Sequence, residues 1–329
     1  MLWGVLIHIG YNLYLDKSDA YPCERYFTDA PEPYFRYSPR LEVADPVWEE
    51  IVAKAPAKGV NAMVLDLADG IVYESHPELA VEGAWSVARL KDEIARLRSL
   101  GIEALPKLNL SASHDAWLGE YSRMVSSRTY YQVVDDLIDE VCAIFDRPRF
   151  FHLGMDEETW ENQKYYHHTV IREGDLWWHD LLRFAARVEE GGSRPWVWSD
   201  RAWHHPVDYL SRMPTSIVQS NWYYEPVFTG DESGRPKPLS HDAHTAYMTY
   251  LDLDEAGFDQ IPAASAFPPY NNLAETAGFA AARLSPERLL GFMNTVWVPP
   301  TAGTRLLHLE MLDRVAEARR AYESVTADR

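Results

Sequence analysis

The chain has 329 residues, 47% of them hydrophobic, and a formal net charge of −19 at pH 7. That length and apolar share suffice for one large core, while the charge argues against nucleic acid and anionic membrane surfaces, which would repel the chain. Two cysteines, Cys23 and Cys142, make neither a disulfide framework nor a zinc ribbon.

No stretch has the length of a membrane span, and no Ser/Gly-rich linker or low-complexity run divides the chain, so residues 1–329 read as a single domain. Leu2 to Ile9 is an apolar run ending at Gly10-Tyr11-Asn12. With no basic region and no cleavage site it reads as a core strand rather than a signal peptide, which favours a cytoplasmic setting. The segment from Leu13 to Ala44 holds Pro22, Pro31, Pro33 and Pro39 and reads as an ordered functional loop. Asp45-Pro46 opens a helix, Asp45 as N-cap and Pro46 at the first helical position, and the helix ends before Gly59. A second strand at Val60 to Leu67 runs into Asp69-Gly70.

Val87, Leu90, Ile94, Leu97 and Leu100 recur at helical spacing until Gly101. A third strand, Ile102 to Leu108, is followed by Asn109 through Asp115; Tyr131, Val134, Ile138, Val141 and Phe145 then predict a helix over 128–145. The fourth strand starts at Phe150 and runs out into Gly154-Met155-Asp156-Glu157-Glu158. Beyond it come a helix at 174–190, a strand from Pro195 into Trp198-Ser199-Asp200, a short helix at 206–212 and a strand from Ser216 to Trp222. A polar loop at 229–240, a helix at 242–257, strands at Gln260 to Phe267 and Leu289 to Trp297, and a helix at 303–324 complete the chain. Strand-then-helix alternation, repeated eight times, predicts an α/β fold with a parallel sheet, the (β/α)8 TIM barrel.

In such a barrel the working residues sit at the C-terminal ends of the strands. Tyr11, Asp69, Asn109, His114, Asp156, Glu157, Trp198, Asp200, Trp222, Tyr270 and Trp297 all fall at or just after strand ends and are expected to face one pocket. The acidic run at 156–158 could simply cap a following turn, but ionised carboxylates side by side are costly to bury, and a chain accepts that cost where chemistry needs them. Twelve tryptophans and nineteen tyrosines provide flat faces suited to pyranose rings. His167-His168, His204-His205 and His241 with His244 lack a zinc-ligand spacing, so no metal is expected. Neither a phosphate cradle, a dinucleotide fingerprint nor a serine elbow is present, and no cofactor is expected.

His152-Leu153-Gly154-Met155-Asp156-Glu157 resembles the His-x-Gly-Gly-Asp-Glu signature of family 20 glycoside hydrolases, the β-N-acetylhexosaminidases, with Met155 in place of the second glycine. Glu74 to Leu79 with Gly83-Ala84-Trp85-Ser86 is similar to the family's loop after strand two, and Pro106-Lys107-Leu108-Asn109 through His114 to its third-strand motif. The resemblance implies an exo-acting, retaining hydrolase of a terminal N-acetylhexosaminide. In it Glu157 is the general acid/base, and Asp156 orients the substrate's own acetamido group for attack on C1. It implies further that Asp69 and His114 form a relay behind Glu157, that Tyr270 bonds the acetamido oxygen, and that Trp198, Trp222 and Trp297 wall the sugar. Asn272 stands at the family's Asp of strand seven, Tyr270 being preferred over Tyr250 because residues 242–257 read as helix. The chain departs from the family where Tyr11 replaces an arginine, where Val298-Pro299 follows Trp297 in place of a gripping carboxylate, and where Lys107 and Asn109 replace two acidic residues. The family's small N-terminal domain has no counterpart in the sequence. Tyr11, Asn109, Asp200 and Asn272 are accordingly expected, with the tryptophans, to touch a carbohydrate substrate. His152 is expected to pack beneath the strand.

Two other readings stay open. A glycosidase for a sugar without the acetamido group would use Asp156 as a conventional nucleophile or base. A catalytically silent sugar-binding barrel would keep the walls and dispense with the acid.

Overall fold

The computed structural model describes residues 1–15, 37–164, 166, 168–225, 227, 228 and 241–327, without the side chains of 241–244. Cys23, His167, most of the loop from Leu13 to Ala44, the loop at 229–240 and the side chains of His241 and His244 lie outside the described residues.

Eight strands form one sheet: β1 (Leu2–His8), β2 (Ala62–Asp66), β3 (Glu103–Lys107), β4 (Phe150–His152), β5 (Arg194–Trp198), β6 (Val218–Ser220), β7 (Ala263–Ser265) and β8 (Gly291–Thr295). Every neighbouring pair is parallel, in the order β6-β5-β4-β3-β2-β1-β8-β7. Bridges between Gln219 and Gln260 and between Trp222 and Ala263 join β6 to β7 and close the ring. This is the (β/α)8 barrel that the alternation predicts. Its main helices among the described residues are α1 (Asp45–Lys54), α2 (Val87–Ser99), α3 (Arg128–Ile144), α4 (Asp175–Glu190), α5 (Pro206–Arg212), α6 (His241–Glu255), α7 (Leu273–Arg283) and α8 (Arg305–Ala327), with a single helical turn at Arg201–His204 before α5.

The helices form where an apolar stripe can cover the strands. In α3 the buried face is Tyr130, Val133, Val134, Leu137, Ile138, Val141 and Cys142, and Ser127 caps the first turn by accepting from Tyr130 N–H. Gly101 ends α2 with φ +75°. Two sequence expectations shift. α1 is flanked by Ala44, with Asp45 already helical and Pro46 second, so Asp45 favours the helix dipole rather than capping it. α7 has no counterpart in the sequence reading: its buried face is largely Ala277, Ala280 and Ala281, too small to give a clear apolar period.

Side chains alternate along β1: Trp3, Val5 and Ile7 join the layer under the helices, whereas Leu2 and Leu6 join the barrel interior with Val64, Leu105, Trp196 and Met293. His8, Asp66 and Lys107 form a polar layer near the strand ends, with Lys107 Nζ 2.6 Å from Asp66 Oδ2 and His8 Nδ1 3.0 Å from the same oxygen. Among the described residues no helix is long and apolar enough to cross a membrane.

Candidate active site

β4 stops after three residues because the backbone then turns left-handed: φ is +72° at Gly154, +71° at Met155 and +52° at Glu157. Only glycine adopts that region without cost, and at Gly154 a side chain would also run into Asn109. Tertiary contacts hold the other two: Met155 is buried in the core, Glu157 N–H donates to Asp200 Oδ2 at 2.8 Å, and Asn162 Nδ2 donates to the Glu157 carbonyl at 3.0 Å. As a result the three consecutive carboxylates point in three directions.

Asp156 meets Asn109, whose Nδ2 donates to Oδ1 at 3.0 Å, and His114, whose Nδ1 lies 3.3 Å from the same oxygen. Glu157 reaches back to the other face of that imidazole, with Oε2 3.4 Å from His114 Nε2. Glu158 turns inward to the fully buried Arg172, which donates from Nε and Nη2 at 2.8 Å each and from its backbone N–H at 2.7 Å. Arg172 also reaches Leu110 O and Asp180, so it ties the acidic run to the loop after β3 and to α4.

The first two carboxylates open into a cavity of about 260 Å³, lined by Tyr14, His114, Asp156, Glu157, Asn162, Trp198, Trp222, Tyr224, Phe267, Tyr270 and Trp297. Its charged groups sit together, faced by aromatic rings. Trp198 lies edge-on to Trp222 at 5.4 Å and 5.9 Å from Trp297, and Tyr224 packs on Tyr270 at 5.3 Å. Trp297, at φ +55°, is fixed by its Nε1 bond to Ser265 Oγ and by Tyr11, whose hydroxyl donates to its carbonyl at 2.8 Å.

Of the residues expected at the site, His114, Asp156, Glu157, Trp198, Trp222, Tyr270 and Trp297 line this cavity. Tyr11, Asn109, Asp200, Asp69 and Asn272 stand behind its walls. Tyr11 braces Trp297, Asn109 holds Asp156, and Asp200 holds the Glu157 backbone. Asp69 accepts from Tyr11 N–H and from Asn12 Nδ2, so the charged contacts of His114 are with Asp156 and Glu157 rather than in a relay with Asp69. Asn272 is fully buried and donates to Tyr223 O and Glu225 O, pinning the segment after β6 instead of reaching the cavity. Tyr250 is buried within α6, in keeping with the preference for Tyr270. His152 packs between Trp196 and Trp198 at 4.6 Å from each and accepts from Gly154 N–H, as the sequence suggested. Tyr14, Asn162, Tyr224 and Phe267 line the cavity without having been singled out in the sequence, and only the aromatic richness after the strand ends hinted at three of them.

Burial and pairing set the charges. For His114, burial opposes charge, but the Asp156 and Glu157 carboxylates outweigh it and raise its pKa to about 10. Burial likewise opposes the charge of Asp156, yet His114, with help from Lys107 and Asn109, brings it down to about 2. Burial raises Asp69 to about 6 against the bonds from Asn12 and Tyr11. Asp200 is pushed well above the carboxylate range, first by burial and then by the Asp156 charge. Near neutral pH the site therefore holds an imidazolium against an ionised Asp156. Among the described residues, His114, Asp156 and Glu157 are the His and carboxylate group whose ligating atoms all lie within 4.8 Å of one another, and ion pairing already engages both ring nitrogens. His204 and His205 are exposed at the junction between the helical turn Arg201–His204 and α5.

No protein-family model matches the sequence, and no curated protein matches it. Solved structures do. A family 20 exo-β-N-acetylglucosaminidase from Vibrio harveyi in complex with N-acetylglucosamine superposes with a TM-score of 0.58 at 14% identity, over 88% of this chain and 56% of that one. Flavobacterium johnsoniae chitobiase gives 0.59 at 18% identity, over 88% and 50%. A mutant Streptomyces plicatus β-hexosaminidase in complex with GlcNAc gives 0.62 at 13% identity, over 98% and 68%. The chain thus spans about half the length of the Vibrio and Flavobacterium proteins. At such identities the likeness is one of fold, and this chain shares its barrel fold with family 20 β-N-acetylhexosaminidases.

Proposed function

We propose that the chain is a glycoside hydrolase that removes a terminal N-acetylhexosamine with retention, using the substrate's acetamido group as nucleophile. The observation that carries this reading is one imidazole, His114, flanked by Asp156 and Glu157 beside an aromatic-lined cavity. Glu157 is the carboxyl that donates a proton to the glycosidic oxygen as the C1–O bond breaks and the acetamido oxygen bonds to C1. It then takes a proton from the water that opens the resulting oxazolinium. Asp156 accepts the acetamido N–H and stabilises the positive charge that develops there. The Asn109 bond and the closer His114 contact both fall on Oδ1, which leaves Oδ2 for a ligand. His114 holds a proton 3.4 Å from Glu157 and offsets the charge that Glu157 acquires when it gives its own away. Trp198, Trp222 and Trp297 wall the ring, and Tyr270 at the rim bonds the acetamido oxygen.

The test is hydrolysis of aryl glycosides with and without the 2-acetamido group. Turnover is expected for acetamido sugars alone, with inhibition by a thiazoline mimic of the oxazolinium, and Glu157→Gln is expected to lower kcat by about 10²–10⁴-fold. Turnover of sugars lacking the acetamido group at the same rate, or indifference to Glu157→Gln, would overturn the reading.

A further inference from the structure

We infer that Asp200 is a positioning residue, which by accepting the Glu157 N–H keeps the left-handed backbone that aims the Glu157 carboxyl into the cavity. The inference rests on the reading of Glu157 as the acid. It departs from the sequence expectation, in which Asp200 touches substrate.

The geometry is specific. Asp200 lies two residues past β5 and is 8% exposed, and among the described residues its carboxyl accepts from one other residue, Glu157 N–H, at Oδ2 and 2.8 Å. Its other oxygen, Oδ1, is buried and has no partner among the described residues. A carboxyl buried beside Asp156 and Glu157 is destabilising, and repulsion from both adds to the burial cost. What it provides in return is a fixed acceptor for one amide. That amide belongs to a non-glycine residue at φ +52°, a strained conformation that relaxes unless the surroundings hold it. Asn162 holds the carbonyl side of the same residue, so Asp200 and Asn162 together grip Glu157 by its main chain and leave its side chain free to work. Relaxation of φ would swing the Cα–Cβ bond, and a displacement of about 1 Å at a reacting group can cost 10²-fold in rate.

The experiment compares Asp200→Ala with Asp200→Asn, which keeps an acceptor oxygen, in the full chain. Two readouts are used: kcat and KM on the acetamido aryl glycoside, and amide hydrogen exchange of the segment around Glu157. Asp200→Ala is expected to lower kcat by about 10–100-fold with KM within about twofold, and to speed exchange at Glu157. Asp200→Asn is expected to restore kcat to within about threefold and to keep the protection. A rise in KM at unchanged kcat would return Asp200 to substrate binding, equal loss in Ala and Asn would assign the effect to its proton or charge, and unchanged exchange in Asp200→Ala would remove the grip. Each result overturns the inference. Should the wild type turn over no glycoside, the glycosidase reading fails by itself, and the exchange measurement still decides whether Asp200 holds Glu157.

Discussion

At the residue scale the site turns on His114. The resemblance to family 20 placed it beside the acidic pair. It could not tell which groups the ring would face. The fold puts one carboxylate on each ring nitrogen, and that pairing rather than burial decides the charge. A histidine whose folded pKa is about 10, against 6.5 unfolded, contributes stability that is fully present below pH 6.5 and is lost as pH rises through about 10. The contribution is on the order of a few kcal/mol. Urea unfolding of the wild type and His114→Gln at increasing pH is therefore expected to show a gap in stability that is widest near neutrality and narrows in alkali. A gap independent of pH would mean that the ring is neutral in the native state.

At the scale of elements, the segment that follows β4 is held by a clamp that no motif announced. Glu158 read as one more acid of the run at 156–158, whereas Arg172, fourteen positions on in an irregular stretch, carried no signal. Only the fold shows that the two are buried together, with Asp180 of α4 as the second anchor. Nearby Asp115, whose carboxyl oxygens are buried without partners among the described residues, is pushed well above the carboxylate range by burial and by Glu158, although Arg172 pulls it the other way. Removing the guanidinium leaves Glu158 uncompensated in the interior. Arg172→Met is expected to cost about 3–5 kcal/mol in chemical denaturation, and the double variant with Glu158→Leu to recover part of that loss, since an apolar pair carries no desolvation penalty. A double variant no more stable than Arg172→Met would show that the clamp works by shape and not by charge. The strand and helix order, by contrast, was legible because apolar periods of two and near four dominate most elements. α7 escaped because alanines give its buried face little contrast.

At the scale of the whole molecule, the buried cations are set against carboxylates: Lys107 faces Asp66, His114 faces Asp156, and Arg172 faces Glu158 and Asp180. Most of the carboxylates among the described residues lie nearer the surface. With a formal net charge of −19 those exposed carboxylates repel one another over distances that salt screens. The thermal midpoint is expected to rise by a few degrees between about 10 mM and about 200 mM sodium chloride, and a midpoint insensitive to salt would place the repulsion equally in the unfolded chain. Lys107 shows most plainly where the sequence stopped. It read as a lost acidic residue of a motif, and in the barrel it is the partner of Asp66 and a cation that helps to keep Asp156 ionised. The sequence by itself determined the barrel and the strand ends that carry the chemistry, because hydrophobic period and local turn residues act over a few neighbouring positions. Only the tertiary structure decided which polar side chains meet in the cavity and which brace it from behind, because those contacts join residues more than forty positions apart, such as Asn109 with Asp156, Glu157 with Asp200 and Tyr11 with Trp297.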